Sequence, residues 1–375
     1  MAIRIHSLSP NCETPKEFTK RFDNLEKHLK EKIKKMKVLY WNISKKNQPL
    51  SGVKRYEDEL FSNIRKIDPS LDINRIQRVD NKVLGNTFLS WFYRYTLQDA
   101  DIIHATFQTL TPIIHIRRPK KFIVTVHDLG PLVYPVLQND ISTKIQWSLT
   151  PEALQKADKI IAISEFTKKE IIRLCGIDKS KIKVVYQGVD HTKYYPMDRL
   201  ECKKKFGLPP KDKHILVVAS NLLHKRMDLI KKIINMVHKT RPDVKLIKVG
   251  YGDVLQGEGI ISPGWVSEED MPALYNAADV FLHTAEYEGF GLPVLEAMAC
   301  GVPVVVSKSA SLPEIVEHSG ELVDLSDPEF LYNFSGAILR TLNEGDAKEG
   351  LERSKRFTWE KTASETYQLY KEAES

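Results

Sequence analysis

Two glutamates eight positions apart, Glu288 and Glu296, bracket the turn Gly289-Phe290-Gly291-Leu292-Pro293 within DVFLHTAEYEGFGLPVLEAMACGVPVVV, residues 279–306. An apolar run precedes the turn and a helical pattern follows it, so the segment reads as a buried strand, a glycine turn and a helix opening near Pro293. Glycine permits close approach of a ligand to the main chain, and a helix N-terminus offers unsatisfied N–H groups at the positive end of its dipole. Such a place suits a diphosphate. The two acids, one on each side, suit sugar hydroxyls, which donate charge-assisted hydrogen bonds to carboxylates. The glycines alone would fit a turn whose glutamates merely cap the helix; the ligand reading rests on the combination.

Three further segments carry chemistry-bearing side chains. In VVASNLLHKRMD a strand runs into a loop where Lys225 can reach an anion, with Ser220 before it, His224 beside it and Arg226 after it. In KFIVTVHDLGPLVYP a buried strand ends at His127-Asp128; a histidine in that position is more often a structural hydrogen bonder than a catalyst. Ser51-Gly52 introduces the helical pattern VKRYEDELFSNI. Gly250 and Gly252 would let a strand end approach a cleft, and Gly264-Trp265-Val266 reads alone as an ordinary turn.

The elements that must position these residues alternate between short β-branched runs and longer amphipathic segments, the pattern of strands feeding crossover helices in parallel sheets. Strands are expected at 37–43, 73–79, 101–105, 121–127, 159–163 and 182–186. A second series follows at 214–219, 244–249, 259–262, 279–283, 302–306 and 321–323. Tyr194-Tyr195-Pro196 and the charged run to Lys205 separate the series. The expected organisation is an extension over 1–36, a first α/β domain over 37–197 and a second over 198–356. A terminal helix over 357–375 is expected to return to the first.

The 375 residues allow two domains at roughly 100–200 residues each. A composition of 42% apolar and 28% charged residues excludes a disordered or collagen-like chain. No stretch reaches the length of an apolar membrane span, no secretory h-region opens the chain, and four scattered cysteines suggest neither zinc nor disulfides, so a cytoplasmic protein is expected. Of the net charge of +7, residues 1–37 contribute +5 through ten Lys/Arg and five Asp/Glu, leaving +2 elsewhere. That distribution argues against nucleic acid as a partner. Phe18, Phe22, Leu25, Leu29, Ile33 and Met36 recur at helical spacing, so an amphipathic helix is expected over 13–37. Its stripe either packs on the fold or, rimmed by Lys20, Lys27, Lys30, Lys32, Lys34 and Lys35, rests on an anionic membrane. Met36 would equally serve as an alternative start.

Taken together, E-x7-E around G-F-G-L-P, the following E-A-M-A-C-G-V-P-V-V, and the His127, Gly52, Lys225 and VGYG segments in the same order resemble retaining glycosyltransferases of family 4 (glycosyl transferases group 1). The resemblance implies the GT-B architecture: two Rossmann-like doubly wound α/β domains facing across a cleft. It implies that Glu296 holds the ribose diol and Glu288 the transferred hexose. The amides of Gly289, Phe290, Gly291 and Leu292 would lie on the phosphates, with Gly52 below them and Val266 beside the base. His127 would line the sugar site. Ser220 stands where the family usually has an arginine, so Lys225, with His224 before it and Arg226 after it, would neutralise the leaving diphosphate. That polar-basic variant tilts the implied donor toward GDP-mannose. The partners implied are a nucleotide-sugar donor and a saccharide or lipid-linked acceptor, with no cofactor and no metal. Asp99-Ala-Asp101, the one D-x-D, precedes its strand and reads as a corner. A sugar-nucleotide epimerase on the same fold, or a non-catalytic nucleotide-sugar binder, are the alternatives.

Overall fold

The computed structural model describes residues 36–45, 51–78, 99–116, 118–250, 252, 255–264 and 266–374. Residues 1–35, which carry most of the expected amphipathic helix, lie outside them, as does Trp265. Among the described residues the β-branched runs form twelve strands: β1 Lys37–Lys45, β2 Asp72–Arg78, β3 Ile102–Ala105, β4 Lys121–Val126, β5 Lys159–Ala162 and β6 Ile182–Val184 in one sheet, then β7 Lys213–Val218, β8 Val244–Val249, β9 Ile260–Ile261, β10 Val280–His283, β11 Val304–Ser307 and β12 Glu321–Val323 in another. All pairings are parallel. Parallel neighbours need crossover connections, and among the described residues helices supply most of them. β11 begins at Val304 instead of 302 because Pro303 has no N–H to give a ladder.

The strand orders decide where a ligand fits. The first sheet runs β2-β1-β3-β4-β5-β6 and the second β12-β11-β10-β7-β8-β9. Chain direction across each sheet therefore reverses at one place, between β1 and β3 and between β7 and β10. In open α/β sheets the crevice beyond the carboxyl ends of the strands at that reversal is where ligands bind.

Helix Gly52–Ile67 follows β1, opened by Ser51, whose Oγ accepts from the Lys54 N–H at 3.2 Å. Tyr56, Leu60 and Ile64, four residues apart, are wholly buried and form its core stripe. The last helix, Trp359–Glu374, comes after the second sheet yet packs on the first. Tyr367 donates its hydroxyl hydrogen to Asp68 at 2.7 Å, and the Tyr370 hydroxyl lies 2.6 Å from His104 Nδ1. His104 Nε2 meets the Thr125 hydroxyl at 2.8 Å, which in turn meets Tyr56 at 2.8 Å. This buried polar chain ties the helices to β3 and β4, the strands whose ends lead into the cleft. At Gly188 a Cβ would lie 2.2 Å from the Trp359 nitrogen, so the crossing between lobes admits only glycine there.

Candidate active site

Lys225 and Glu288 come from the two strands that flank the reversal in the second sheet. β7 continues through a half-buried Ser220 to a turn over Leu223–Lys225, and β10 continues through Thr284 to the glycine turn. Lys225 Nζ donates to Glu288 Oε2 at 2.7 Å, and His283 Nε2 reaches the same oxygen at 2.9 Å. Burial alone would raise the Glu288 carboxyl, but the Lys225 charge and the His283 hydrogen bond hold it far below the ordinary range, so it is an anion.

The turn after Glu288 is fixed from behind. The Ser311 hydroxyl donates to the carbonyls of Glu288 at 2.8 Å and Phe290 at 2.9 Å, and Ser164 of the other lobe donates to the Gly289 carbonyl at 2.7 Å. Among the described residues the N–H groups of Gly289, Phe290 and Gly291 find no acceptor. Gly291 adopts φ 105°, which a side chain would strain, and caps the helix Leu292–Ala299 with Pro293 in its first turn. A Cβ on Gly52 would meet the Leu292 side chain at 3.6 Å, which sets the Ser51-Gly52 turn of the first lobe against this helix start. Three unpaired amides and a helix N-terminus thus follow directly on Glu288, the residue that Lys225 engages.

Glu296, in that helix and buried, has both oxygens occupied. Tyr275 donates its hydroxyl hydrogen to Oε2 at 2.7 Å, and the Arg55 guanidinium, from the helix of the first lobe, pairs with Oε1. Arg55 also lies 3.7 Å from Glu268 and over the Tyr194 ring at 5.6 Å. Together these groups leave a cavity of only about 10 Å³ beside Glu296. Removing one partner of a buried ion pair strands the other charge. Arg55→Leu should therefore lower the unfolding free energy in urea by about 3 kcal/mol; a loss below about 1 kcal/mol would show that the pair does not bridge the lobes in solution.

His127 is buried at the end of β4 with both ring nitrogens engaged: Nε2 lies 3.0 Å from the Thr106 carbonyl and Nδ1 3.2 Å from the Gln187 amide nitrogen. Its ring meets Tyr56 edge-on at 4.8 Å. A carbonyl only accepts, so Nε2 carries the hydrogen and the Gln187 amide donates to Nδ1. What His127 turns to the second lobe is its backbone: a Cβ on Gly289 would lie 2.1 Å from the His127 carbonyl oxygen. Asp128, next along, accepts from the Gly130 N–H at 2.8 Å, and burial raises its carboxyl. Arg226, at φ 52°, is engaged by Asp228 at 3.1 Å and Glu286 at 3.2 Å. Val266 packs partly buried against the core.

Burial holds His104 down to about 3, and His127, His214 and His224 down to about 4. A depressed folded value means the unfolded chain binds protons that the folded chain refuses. The stability these groups give is complete above about pH 6.5 and is lost as pH falls toward 4. Burial pushes Glu57, Glu59 and Asp128 up, which acts in the opposite sense, but the four histidines outnumber these three carboxyls. Urea unfolding at pH 5.5 should therefore show about 2 kcal/mol less stability than at pH 7; equal values would contradict the buried, neutral state of these rings.

Comparison with known proteins joins this geometry to a family. Residues 198–352 match the family described as Glycosyl transferases group 1, and residues 69–193 match Glycosyltransferase Family 4. Over 279 residues, 68% of its length, the chain is 33% identical to O-antigen chain mannosyltransferase B of Escherichia coli, of which it spans 71%. The chain belongs to the group 1 glycosyl transferases. This glycosyltransferase is also 28% identical over 241 residues to a D-inositol 3-phosphate glycosyltransferase of Segniliparus rotundus, covering 59% of its own length and 54% of that protein. Among solved structures, sucrose-phosphate synthase from Thermosynechococcus elongatus aligns with a TM-score of 0.73 at 20% identity, over 90% of this chain and 99% of that one. Anabaena HepE in complex with UDP and glucose aligns at 0.68 and 20%, over 90% and 100%. The fold of this glycosyltransferase is therefore GT-B.

Three residues of the site escaped sequence reasoning. Arg55 lies three positions after Gly52, in the first turn of the helix that follows β1, which is where a side chain can face the reversal in the first sheet; that placement was the available signal. His283 closes an apolar strand and looks like part of it. Glu314 of the second lobe caps the helix Glu165–Cys175 of the first, accepting from the N–H groups of Glu165 at 2.8 Å and Phe166 at 3.0 Å, a pairing no local pattern announces.

Proposed function

We propose that this glycosyltransferase moves a hexose, mannose by preference, from a nucleoside-diphosphate sugar to a saccharide or lipid-linked acceptor, with retention at the anomeric carbon and without a metal. The observation that carries the reading is the Lys225–Glu288 pair at the strand reversal, followed at once by the free amides at 289–291 and the helix start at Leu292. Breaking the bond to a nucleoside diphosphate separates charge, and fixed positive potential at the departing phosphate lowers that barrier. The turn amides and Lys225 hold the diphosphate, Glu288 takes a hydroxyl of the hexose, and Glu296 takes the ribose. Each Glu296 oxygen keeps a second lone pair for that purpose. With only about 10 Å³ beside Glu296, the Arg55 side chain or the lobe that carries it has to move for a nucleotide to enter, and closure then excludes water.

Mannose is favoured by the E. coli relatives, O-antigen chain mannosyltransferase B and serotype-specific mannosyltransferase WbdA. A nucleotide sugar is favoured by the likeness to HepE, solved with UDP-glucose. A thermal-shift comparison of GDP, UDP and ADP decides the base, since a ligand stabilises the state it occupies, by about 2.7 kcal/mol at 100 times its Kd. GDP should give the largest shift, and labelled GDP-mannose should then be turned over. No response to any of the three would overturn the donor reading.

A lipid-linked acceptor would place the reaction at the cytoplasmic membrane face. No helix among the described residues is long and apolar enough to cross a membrane. The contact would then fall to the basic amphipathic segment 13–37. Deleting residues 1–35 should reduce binding to anionic liposomes while leaving soluble donor turnover intact, and unchanged liposome binding would remove the membrane role.

A further inference from the structure

Resting on that donor reading, we propose that His283 is a positioning residue of the transfer: it holds the Glu288 carboxylate in place so that Lys225 is free to pass to the leaving diphosphate.

Lys225 and His283 both engage Glu288 Oε2, at 2.7 and 2.9 Å, and among the described residues Oε1 takes no hydrogen bond. A carboxylate only accepts, so His283 Nε2 carries a hydrogen whichever charge the ring bears. Oε1 is thus the atom available to a sugar hydroxyl, and Oε2 is the atom by which the protein holds the side chain.

The two donors on Oε2 differ in kind. Lys225 has a flexible four-carbon stem and three donor hydrogens, and its partner Glu288 immediately precedes the free amides of the turn. His283 is the last residue of β10, its side chain 3% exposed, its ring nearly parallel to that of Phe281 at 6.3 Å. It has nowhere else to go. The main chains that bear the pair are tied together: Thr284 donates its hydroxyl hydrogen to the Lys225 carbonyl at 3.1 Å, and the Glu286 N–H donates to the His224 carbonyl at 2.8 Å.

Glu288 is a largely buried anion, and a buried charge stripped of its only partner is strongly unfavourable. With Lys225 as sole partner, every move of the ammonium toward a phosphate would abandon the carboxylate. A second, immobile donor removes that penalty. The demand on Lys225 rises as negative charge grows on the departing phosphate, so the benefit of His283 falls in the transition state and is read in kcat more than in KM.

The test compares His283→Gln with His283→Asn in the full chain, using hydrolytic release of GDP from GDP-mannose and of UDP from UDP-glucose, in which water takes the sugar in place of the acceptor. Glutamine sets an amide N–H near the Nε2 position; asparagine is too short to reach Glu288. Thermal melts establish that both variants fold. The Asn variant should lose kcat by about 30-fold, the size of one hydrogen bond to a charged group, with KM for the donor little changed. The Gln variant should keep most of the activity. Equal activity in the two variants, or a loss confined to KM, overturns the role of His283 while wild-type turnover keeps the donor reading intact. Wild-type protein inert toward both donors overturns that reading, and this inference with it.

Discussion

Lys225→Ala should lower donor turnover at least 100-fold while the protein stays folded. Fixed donors aimed at developing negative charge are each worth about 2.7–4 kcal/mol of transition-state stabilisation. The site has no evident substitute. Among the described residues the neighbouring Arg226 guanidinium is already engaged by Asp228 and Glu286. The substitution also leaves Glu288 with His283 as its remaining partner, so circular dichroism and a thermal melt should accompany the kinetics. Lys225→Arg, which keeps the charge but spreads it over a planar fork, should recover part of the rate. A fall of less than threefold in the alanine variant would remove Lys225 from the chemistry.

Gly289→Ala should be comparably damaging for a different reason. The added methyl would lie 2.1 Å from the His127 carbonyl oxygen and 3.2 Å from Asp128 Cβ, and the first of these is main chain of the opposite lobe. Backbone held in a strand end cannot step aside, so the lobes must separate. A displacement of about 1 Å at the reacting groups is enough to cost roughly 100-fold in rate. One core cluster runs from Val38 and Tyr56 of the first lobe to Phe281 and Leu292 of the second, so parting the lobes should lower the melting temperature as well. Gly336→Ala is the control: it lies in the helix Phe330–Glu344, where a Cβ would meet only the Arg340 side chain at 3.5 Å, and it should leave turnover unchanged. A fully active Gly289→Ala would show that the two lobes do not meet through this turn during turnover.

Much of this architecture is legible in the chain because its signals are local. Runs such as Val280-Phe281-Leu282 and Val304-Val305-Val306 are buried on both faces of a parallel sheet and stand out against amphipathic neighbours. The glycine turn is legible for the same reason: Gly289, Gly291 and Pro293 each meet a backbone demand within five residues. The cross-lobe pairs are not legible. Arg55 and Glu296 are 241 positions apart, and Glu165 and Glu314 are 149 apart; neither pairing leaves a periodicity. Arg226 illustrates the converse, since a charge counted from the sequence carries no sign of the Glu286 carboxylate that engages it from 60 positions away. His127 is intermediate: its place at a strand end is local, whereas the Gln187 contact at its Nδ1 arrives from the crossing between lobes.

A crystal structure with GDP bound bears most directly on the central claim, that the 289–291 turn seats a diphosphate between two sugar-binding acids. The phosphate oxygens should lie about 3 Å from the free turn amides and from Lys225 Nζ, with the ribose hydroxyls on Glu296. A diphosphate bound elsewhere, with Lys225 still on Glu288 and the Glu296 carboxylate untouched by the ribose, would contradict it.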